Sequence, residues 1–231
     1  MSQCKHIDLS GNKILANLPQ ELADRLKPHL SLVTLKLKDV LCRPQEPVKY
    51  LYFPIQSVIS SLIGLSDGES VEVGMVGNEG VVPIEAVLGA KTVRSLTVVQ
   101  VSDGALRITA KAFLEEFGRG GVLTGRIHRY LNHFLGQVAQ TAACNRVHTL
   151  DKRLCRWLLI ARSKINRDDF PITHEFLGTM LGAPRSEVTF AAAKLRKLGL
   201  ISYRPGRMTV LDLEGLESAA CECYSTVAGY A

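Results

Sequence analysis

The chain has 231 residues, of which 46% are hydrophobic and 22% charged, an ordinary balance for a globular protein of one large or two small domains. No apolar run approaches the about 18 to 20 residues that cross a bilayer, and MSQCKHIDLSGNK lacks the apolar core of a secretory signal, so we expect a cytoplasmic protein without a membrane partner. The net charge of +6 is concentrated late in the chain, because residues 150–211 hold twelve Lys or Arg against five Asp or Glu, a local charge of +7 that favours an acidic partner.

The N-terminal half predicts a short helix and then a β-domain. LANLPQELADRLK (15–27) has amphipathic helical spacing. From Leu32 to about Ile108, short β-branched runs alternate with the turn signals LSDGES, GNEG, VLGAK and SDGA, a pattern typical of an antiparallel barrel or roll. The strand signals end after Thr109, and KAFLEEF predicts another helix.

A long segment almost free of helix breakers follows. VLTGRIHRYLNHFLGQVAQTAACNRVHTL predicts one long helix, and some of its residues repeat at heptad spacing: Ile127, Leu131, Phe134, Val138, Thr141 and Asn145. This narrow stripe could lie on the β-domain. Because it comes after a finished β-domain, we expect instead that it pairs with a second copy of the chain as a dimerisation helix.

The basic segment predicts two helices joined by a tight turn. A helix is expected over DKRLCRWLLIARSKI (151–165), and NRDDFP is expected to be a loop. Thr173 can cap a short helix that ends at Gly182, where a tight turn needs positive φ. Pro184 suits the start of the next helix, whose predicted buried stripe is Val188, Ala191, Ala192, Leu195 and Leu198.

The outward face of this second helix and the segment behind it predict contacts with DNA. Arg185, Ser186, Thr189, Phe190 and Lys197 lie on that face, which is narrow enough to enter a major groove. LISYRPGRMTVLD then predicts a hairpin with Arg204 and Arg207 at its tip, where they would contact phosphates. Together these features predict a winged helix-turn-helix that binds double-stranded DNA.

This order of elements resembles the Crp/Fnr family of bacterial transcription regulators over nearly the whole chain. The resemblance is strongest over ITHEFLGTMLGAPRSEVT and LRKLGLISYRPGRMTVLD. It implies an α+β chain with a cyclic-nucleotide-binding-like β-roll (1–118), a dimerisation helix and hinge (119–148) and a winged helix-turn-helix (149–231). It also implies a homodimer on a palindromic operator, and RNA polymerase stays open as a further partner.

The resemblance assigns roles to single residues. Thr173 matches a position that caps the first helix and contacts phosphate, and Arg185 matches the family's main base-reading arginine. Ser186 stands where many members have a base-reading glutamate, and Phe190 where one member has a second arginine. These two departures leave the operator sequence open.

The β-roll lacks part of the pattern by which members of the family bind cyclic nucleotides. That pattern pairs Gly-Glu with Arg-Ser about ten residues later. Arg94 and Ser95 are present, but Ile84 precedes Glu85 where glycine is expected. Glu85, Arg94 and Ser95 therefore remain only a candidate effector pocket, and we expect no cyclic-nucleotide binding of the usual kind. The alternatives are a true cyclic-nucleotide-dependent regulator, and Arg94 as a solvated or ion-paired strand residue.

The six cysteines indicate neither a disulfide framework nor an iron–sulfur cluster. They are scattered along the chain as Cys4, Cys42, Cys144, Cys155, Cys221 and Cys223. Only Cys4 stands where iron–sulfur members of the family carry a run of cysteines, so we reject a cluster. Cys144 and His148, spaced i and i+4, offer two ligands, which are too few for a metal site. The pair in CEC (221–223) is expected to be a reduced tail, and a metal or redox role there stays open as the alternative.

The sequence argues against two other classes of function. One is a sensor module that regulates through protein contacts and has lost DNA binding, which Arg185, Arg204 and Arg207 argue against. The other is an enzyme, but the sequence has no Ser-His-Asp pattern, HExxH, Walker loop or Rossmann fingerprint. Asp168 and Asp169 are expected to form a solvated turn rather than a catalytic pair.

Overall fold

The computed structural model describes residues 7–228, so Cys4 lies outside the described residues. The chain is α+β, as predicted: strands dominate the first half, a long helix follows, and short helices with a small sheet form the C-terminal part. Among the described residues, no helix is both long enough and apolar enough to cross a membrane.

The strands of the N-terminal half form sheets with the orders β1-β7-β3 and β2-β6-β4-β5. Their bounds are β1 Ser31–Leu35, β2 Val40–Cys42, β3 Tyr50–Pro54, β4 Val58–Gly64, β5 Ser70–Val76, β6 Leu96–Val101 and β7 Asp103–Thr109. In the first sheet β7 is central and antiparallel to both neighbours. Its pairs Leu51 with Ile108 and Phe53 with Leu106 are at most 1% exposed, so cross-strand apolar pairs build this core.

The helices of the first half correct two details of the prediction. They are α1 Gln20–Leu26, α2 Ile84–Val87, α3 Ala110–Phe117 and α4 Val122–Val147. The predicted helix over 15–27 begins only at Gln20, because Pro19 has extended backbone and disfavours helical geometry in the residue before it. The turn signal VLGAK also includes the last residue of α2.

The C-terminal part contains α5 Leu150–Ile165, β8 Asp169–Pro171, α6 His174–Leu181, α7 Arg185–Lys197, β9 Ile201–Arg204, β10 Arg207–Val210, α8 Leu213–Ala219 and α9 Cys223–Ala228. Helix α5 is the hub of this part, since α6, α7, α8 and α9 all contact it. The strands form a sheet of order β8-β10-β9. NRDDFP is therefore not only a loop, because Asp169–Pro171 pair with β10.

Contacts divide the chain into two compact units. The first holds the described residues up to Ile59 together with Val76–Asn132. The second holds Ser60–Met75 and the described residues from His133 onward. Helix α4 thus begins in the first unit and ends in the second, and the hairpin of β4 and β5 belongs largely to the second. The domain boundaries predicted near 118 and 148 remain a prediction.

The structure corrects the reason for assigning the heptad stripe to dimerisation. Ile127, Leu131 and Phe134 are 0, 8 and 9% exposed, so their own chain already shields them from water. Val138 and Thr141 are half-buried. The exposed leucine in the middle of α4 is Leu135, at 65%.

Candidate nucleic-acid interface

Helices α6 and α7 meet at a turn that Gly178 and Gly182 shape, and Thr173 caps the other end of α6. Thr173 caps α6 by accepting a hydrogen bond from the Phe176 N–H at 3.1 Å, as predicted. Gly182 has φ of +56°, and the Ala183 N–H donates back to the Gly178 carbonyl at 3.0 Å. A Cβ on Gly178 would lie 2.7 Å from the Ala183 oxygen, so the close turn requires glycine inside α6.

Helix α7 buries one face and exposes the other. Its buried residues are Val188, Ala191, Ala192 and Leu195. The predicted stripe also includes Leu198, but this residue is 69% exposed, because it follows the last helical residue. Phe190 is 65% exposed. The Lys194 Nζ lies 4.7 Å from the centre of the Phe190 ring and forms an ion pair with Asp151 at 2.8 Å. The face predicted to meet DNA is therefore exposed, with Lys194 lying over Phe190.

A polar contact links α6, α7 and β9 beside this face. The Thr189 hydroxyl donates to the Arg185 carbonyl and contacts His174 Nδ1, both at 2.9 Å. The His174 ring stacks on Tyr203 with centroids 4.0 Å apart. Burial, and then the nearby Arg185 charge, lowers the pKa of His174, which favours its neutral form. Sequence reasoning missed His174 and Tyr203 because their partners lie far along the chain.

The hairpin of β9 and β10 is the wing, and its two arginines have different surroundings. Arg204 and Arg207 face each other across the turn formed by Pro205 and Gly206, and both are exposed. Arg207 forms an ion pair with Asp169, with the Nε atom 2.6 and 2.8 Å from the carboxylate oxygens. This bond holds the pKa of Asp169 below its usual value. Within residues 7–228, no carboxylate forms an ion pair with Arg204.

The predicted solvated turn holds only for Asp168, which is exposed in a bend, whereas Asp169 belongs to β8. Asp169 is bound to Arg207, and Asp168 forms an ion pair with Arg162 at 2.5 Å. These ion pairs connect β8 to β10 and the bend at Asp168 to the end of α5. Nothing in the local sequence indicates which arginine each carboxylate meets.

The predicted DNA-contacting residues lie at the start of α6, along α7 and in the hairpin of β9 and β10. Arg185 and Ser186 occupy the first turn of α7, Lys197 is its last residue, and all three are exposed. Thr173 is exposed at the start of α6. Thr189 is also exposed, but its hydroxyl is already engaged by the Arg185 carbonyl and His174.

Comparisons with known proteins agree with this geometry. The family profile of the Crp-like helix-turn-helix domain matches residues 152–219, which include α6, α7 and the wing. A structure described as a Crp/Fnr-family transcriptional regulator from Eubacterium rectale superposes with a TM-score of 0.71 at 16% identity, covering 91% of this chain and 98% of that one. This chain has the Crp/Fnr fold. A search of curated protein sequences found no match.

Two further Crp/Fnr-fold structures cover most of the chain. A CRP-family regulator from Thermus thermophilus has a TM-score of 0.69 at 22% identity, covering 81% of this chain and 96% of its own. FixK2 from Bradyrhizobium japonicum has a TM-score of 0.69 at 12% identity, covering 83% and 98%. The resemblance and fold class predicted from the sequence are confirmed, and at these identities the likeness concerns the fold.

The candidate effector residues of this Crp/Fnr-type β-roll lie close together but are partly engaged with each other. Ser95 donates to Glu85 Oε1 through its hydroxyl at 2.7 Å and its backbone N–H at 3.3 Å. Glu85 lies on α2, and Ser95 is buried just before β6. Arg94 is exposed and precedes the strand, so the alternative of a strand residue is wrong in that detail.

The expectation that the cysteines and histidines are too few for a metal site needs correction. The second unit brings Cys144, His148, Cys221 and Cys223 together, so that their ligand atoms lie within 4.8 Å of one another. In the sequence they form two separate pairs, each insufficient alone. Folding joins the end of α4 to the segment before α9, which no local pattern predicts.

Proposed function

We propose that this protein is a homodimeric transcription regulator that binds a palindromic DNA operator in the bacterial cytoplasm and is not an enzyme. The Crp-like helix-turn-helix domain and the Crp/Fnr fold support a regulator of this type. In such a domain the second helix enters the major groove and the wing contacts phosphates. Helix α7 and the β9–β10 hairpin take these roles.

The observation that carries the proposal is the free position of Arg185. It is the first residue of α7, directly behind the Gly182 turn, and its side chain is exposed. A guanidinium at a helix N-terminus in the major groove can donate two hydrogen bonds to guanine O6 and N7. Phe190, one turn on and exposed, can contact a thymine methyl group.

Arg185→Ala tests this role on an operator selected from a random DNA pool. We expect a loss of about 1 to 3 kcal/mol in binding to that operator, with the preference flattened at one position in each half-site. Lys197→Ala is the matched control on the same helix. It should weaken binding to the operator and to random DNA alike. It should also lower the salt slope, which is the steepness with which log affinity falls against log salt concentration, by about one.

The outcomes separate base reading from DNA binding itself. If Arg185→Ala weakens binding to the operator and to random DNA equally, the base-reading role is wrong, but the proposal of a DNA-binding regulator still holds. If the unmodified protein binds no DNA at low salt, the regulator is wrong, and a sensor that acts through protein contacts becomes the better explanation.

We further propose that the dimer forms along an exposed stripe of α4 in the second unit. Leu135, Ala139, Ala142 and Arg146 are exposed and spaced by four, three and four residues. This spacing follows one face of a helix that meets a copy of itself, and the two small alanines allow a close approach. Val138, half-buried, lies at the edge of that stripe.

We also propose that operator binding does not require a cyclic nucleotide. The Glu85 carboxylate, which would have to bind a ribose, already accepts two hydrogen bonds from Ser95. Titration calorimetry with cyclic AMP and cyclic GMP should give no saturable heat. Micromolar binding that Arg94→Ala abolishes would contradict this and support a cyclic-nucleotide-dependent regulator.

A further inference from the structure

Four side chains with metal-binding atoms meet where α4 ends. Cys144 lies in the last turn of α4, and the His148 N–H donates to its carbonyl at 3.0 Å. Cys221 and Cys223 come from the segment that starts α9. Two stretches of chain, 75 to 77 positions apart in sequence, therefore converge on one point.

Two of the distances between ligand atoms match a tetrahedral zinc site, and the others are at most 4.8 Å. With Zn–S bonds of about 2.3 Å and Zn–N bonds of about 2.0 to 2.1 Å, neighbouring ligand atoms lie about 3.5 to 3.8 Å apart. The Cys144 and Cys221 sulfurs are 3.6 Å apart, and so are the Cys223 sulfur and His148 Nδ1. A disulfide would need about 2.05 Å, and these cysteines are free.

We propose that Cys144, His148, Cys221 and Cys223 bind one Zn²⁺ ion as a structural site. Three sulfurs with one imidazole form the Cys₃His set of closed zinc sites. The three cysteines are at most 5% exposed, and the His148 side chain is 13% exposed. Four protein ligands in a buried position complete the coordination, so the site is structural rather than catalytic.

Neighbouring polar groups orient these ligands. Glu222 Oε1 lies 3.3 Å from His148 Nε2, which directs the other ring nitrogen, Nδ1, toward the sulfurs. Gln140 donates to the Cys223 sulfur at 3.0 Å. A carboxylate on the far nitrogen of a histidine and an N–H donor to a sulfur are typical partners of zinc ligands.

A buried arginine beside the four ligands carries a charge opposite to that of the proposed zinc–thiolate site. Arg156 is 4% exposed and lies near enough to Cys144 to act on it electrostatically. Its Nη1 donates to Thr141, while its Nε has no hydrogen-bond partner, and no carboxylate of residues 7–228 forms an ion pair with it. Zn²⁺ with three thiolates carries a net charge of −1, which offsets such a buried cation.

The full-length protein, purified in a reducing buffer, tests the site directly. After equilibration with Zn²⁺ and removal of the free metal, mass spectrometry should find one zinc per chain. Replacement with Co²⁺ should give the ligand-field bands of tetrahedral cobalt and a thiolate-to-cobalt charge-transfer band. Both readouts are independent of DNA binding, so their outcome does not bear on the regulator.

Variants identify the ligands. Cys223→Ser and His148→Gln should lose the bound zinc, whereas Cys155→Ser, a fully buried cysteine of α5 outside the cluster, should keep it. Glu222→Gln should weaken zinc binding about 10- to 100-fold in competition with a chelator, because it removes the negative charge beside His148 Nε2.

Three results would overturn the proposal. They are an unmodified protein that takes up no Zn²⁺, a Co²⁺ form without the charge-transfer band, and an unchanged zinc content in folded Cys223→Ser. Folding of each variant is checked by circular dichroism. The wild-type measurements decide the question even if a variant does not fold.

Discussion

At the scale of single residues, Glu72 shows how burial changes a charge. Its carboxylate accepts hydrogen bonds from the Ser60 hydroxyl at 2.5 Å and the Trp157 indole at 3.0 Å. Burial nonetheless raises its pKa from an ordinary 4.5 to about 7, because the two hydrogen bonds and the charges of Arg156 and Lys164 offset only part of the desolvation. The group is therefore a source of pH-dependent stability.

The direction of this dependence follows from the raised pKa. The folded protein holds the proton more tightly than the unfolded chain, so the contribution of Glu72 to stability is greatest below about pH 4.5 and is lost as pH rises through about 7. The total change is about 3 kcal/mol. Glu72→Gln, which stays neutral, should remove this slope and unfold at higher denaturant concentration than the unmodified protein at pH 8.

Glu69→Gln is the control, because Glu69 is exposed on the same hairpin. It should leave the pH profile of denaturant unfolding unchanged. Equal pH profiles for Glu72→Gln and the unmodified protein would show that Glu72 is ionised without cost in the fold.

At the scale of the element, we expect the two arginines of the wing to contribute unequally to DNA binding. The Asp169 carboxylate already holds Arg207, whereas Arg204 is exposed beside it without an ion pair among residues 7–228. We expect Arg204→Ala to weaken DNA binding and lower the salt slope by about one, and Arg207→Ala to do less. Binding measured across a series of salt concentrations checks both.

Asp169→Asn gives the opposite change. It should free Arg207 for a phosphate and raise DNA affinity, whereas Asp168→Asn, which removes the same charge from a carboxylate paired with Arg162, should raise it less. Equal losses for the two arginine variants, with no gain from Asp169→Asn, would mean that Asp169 does not compete with phosphate.

At the scale of the whole molecule, the dimer is expected to depend on Leu135. Its 65% exposed side chain should become buried when two copies of α4 meet, and burying a leucine stabilises by roughly 1.5 to 3 kcal/mol. Leu135→Glu should sediment as a monomer at micromolar concentration and bind the operator much more weakly. The fold of each chain should be retained in circular dichroism, since the leucine is mostly free of its own chain.

Val122→Glu serves as the control, because Val122 is also an exposed apolar residue of α4, at 45%, but on another face. It should remain dimeric. A dimeric Leu135→Glu would place the contact elsewhere, and an unmodified protein that sediments as a monomer would refute the dimer itself. Phe134→Glu would not answer the question, because Phe134 is buried in its own chain.

Local patterns predicted the parts of the fold that depend on near neighbours in the chain. The cap at Thr173, the positive φ of Gly182, the exposed side of α7 at Phe190 and the turn at Pro205 and Gly206 all follow from the preferences of a few adjacent residues. They could be read from the sequence because backbone geometry and helical periodicity act over less than about two turns.

Tertiary structure alone decided which distant side chains meet. Arg207 contacts Asp169, 38 positions away in the sequence, and Cys144 contacts Cys221, 77 positions away. The side of α4 that is buried at Phe134 depends on the hairpin of β4 and β5, which approaches it at Gly74. Charge and residue type made each group a candidate for some partner. The choice of partner depended on how packing excludes water between elements far apart in the chain, which no short stretch of sequence contains.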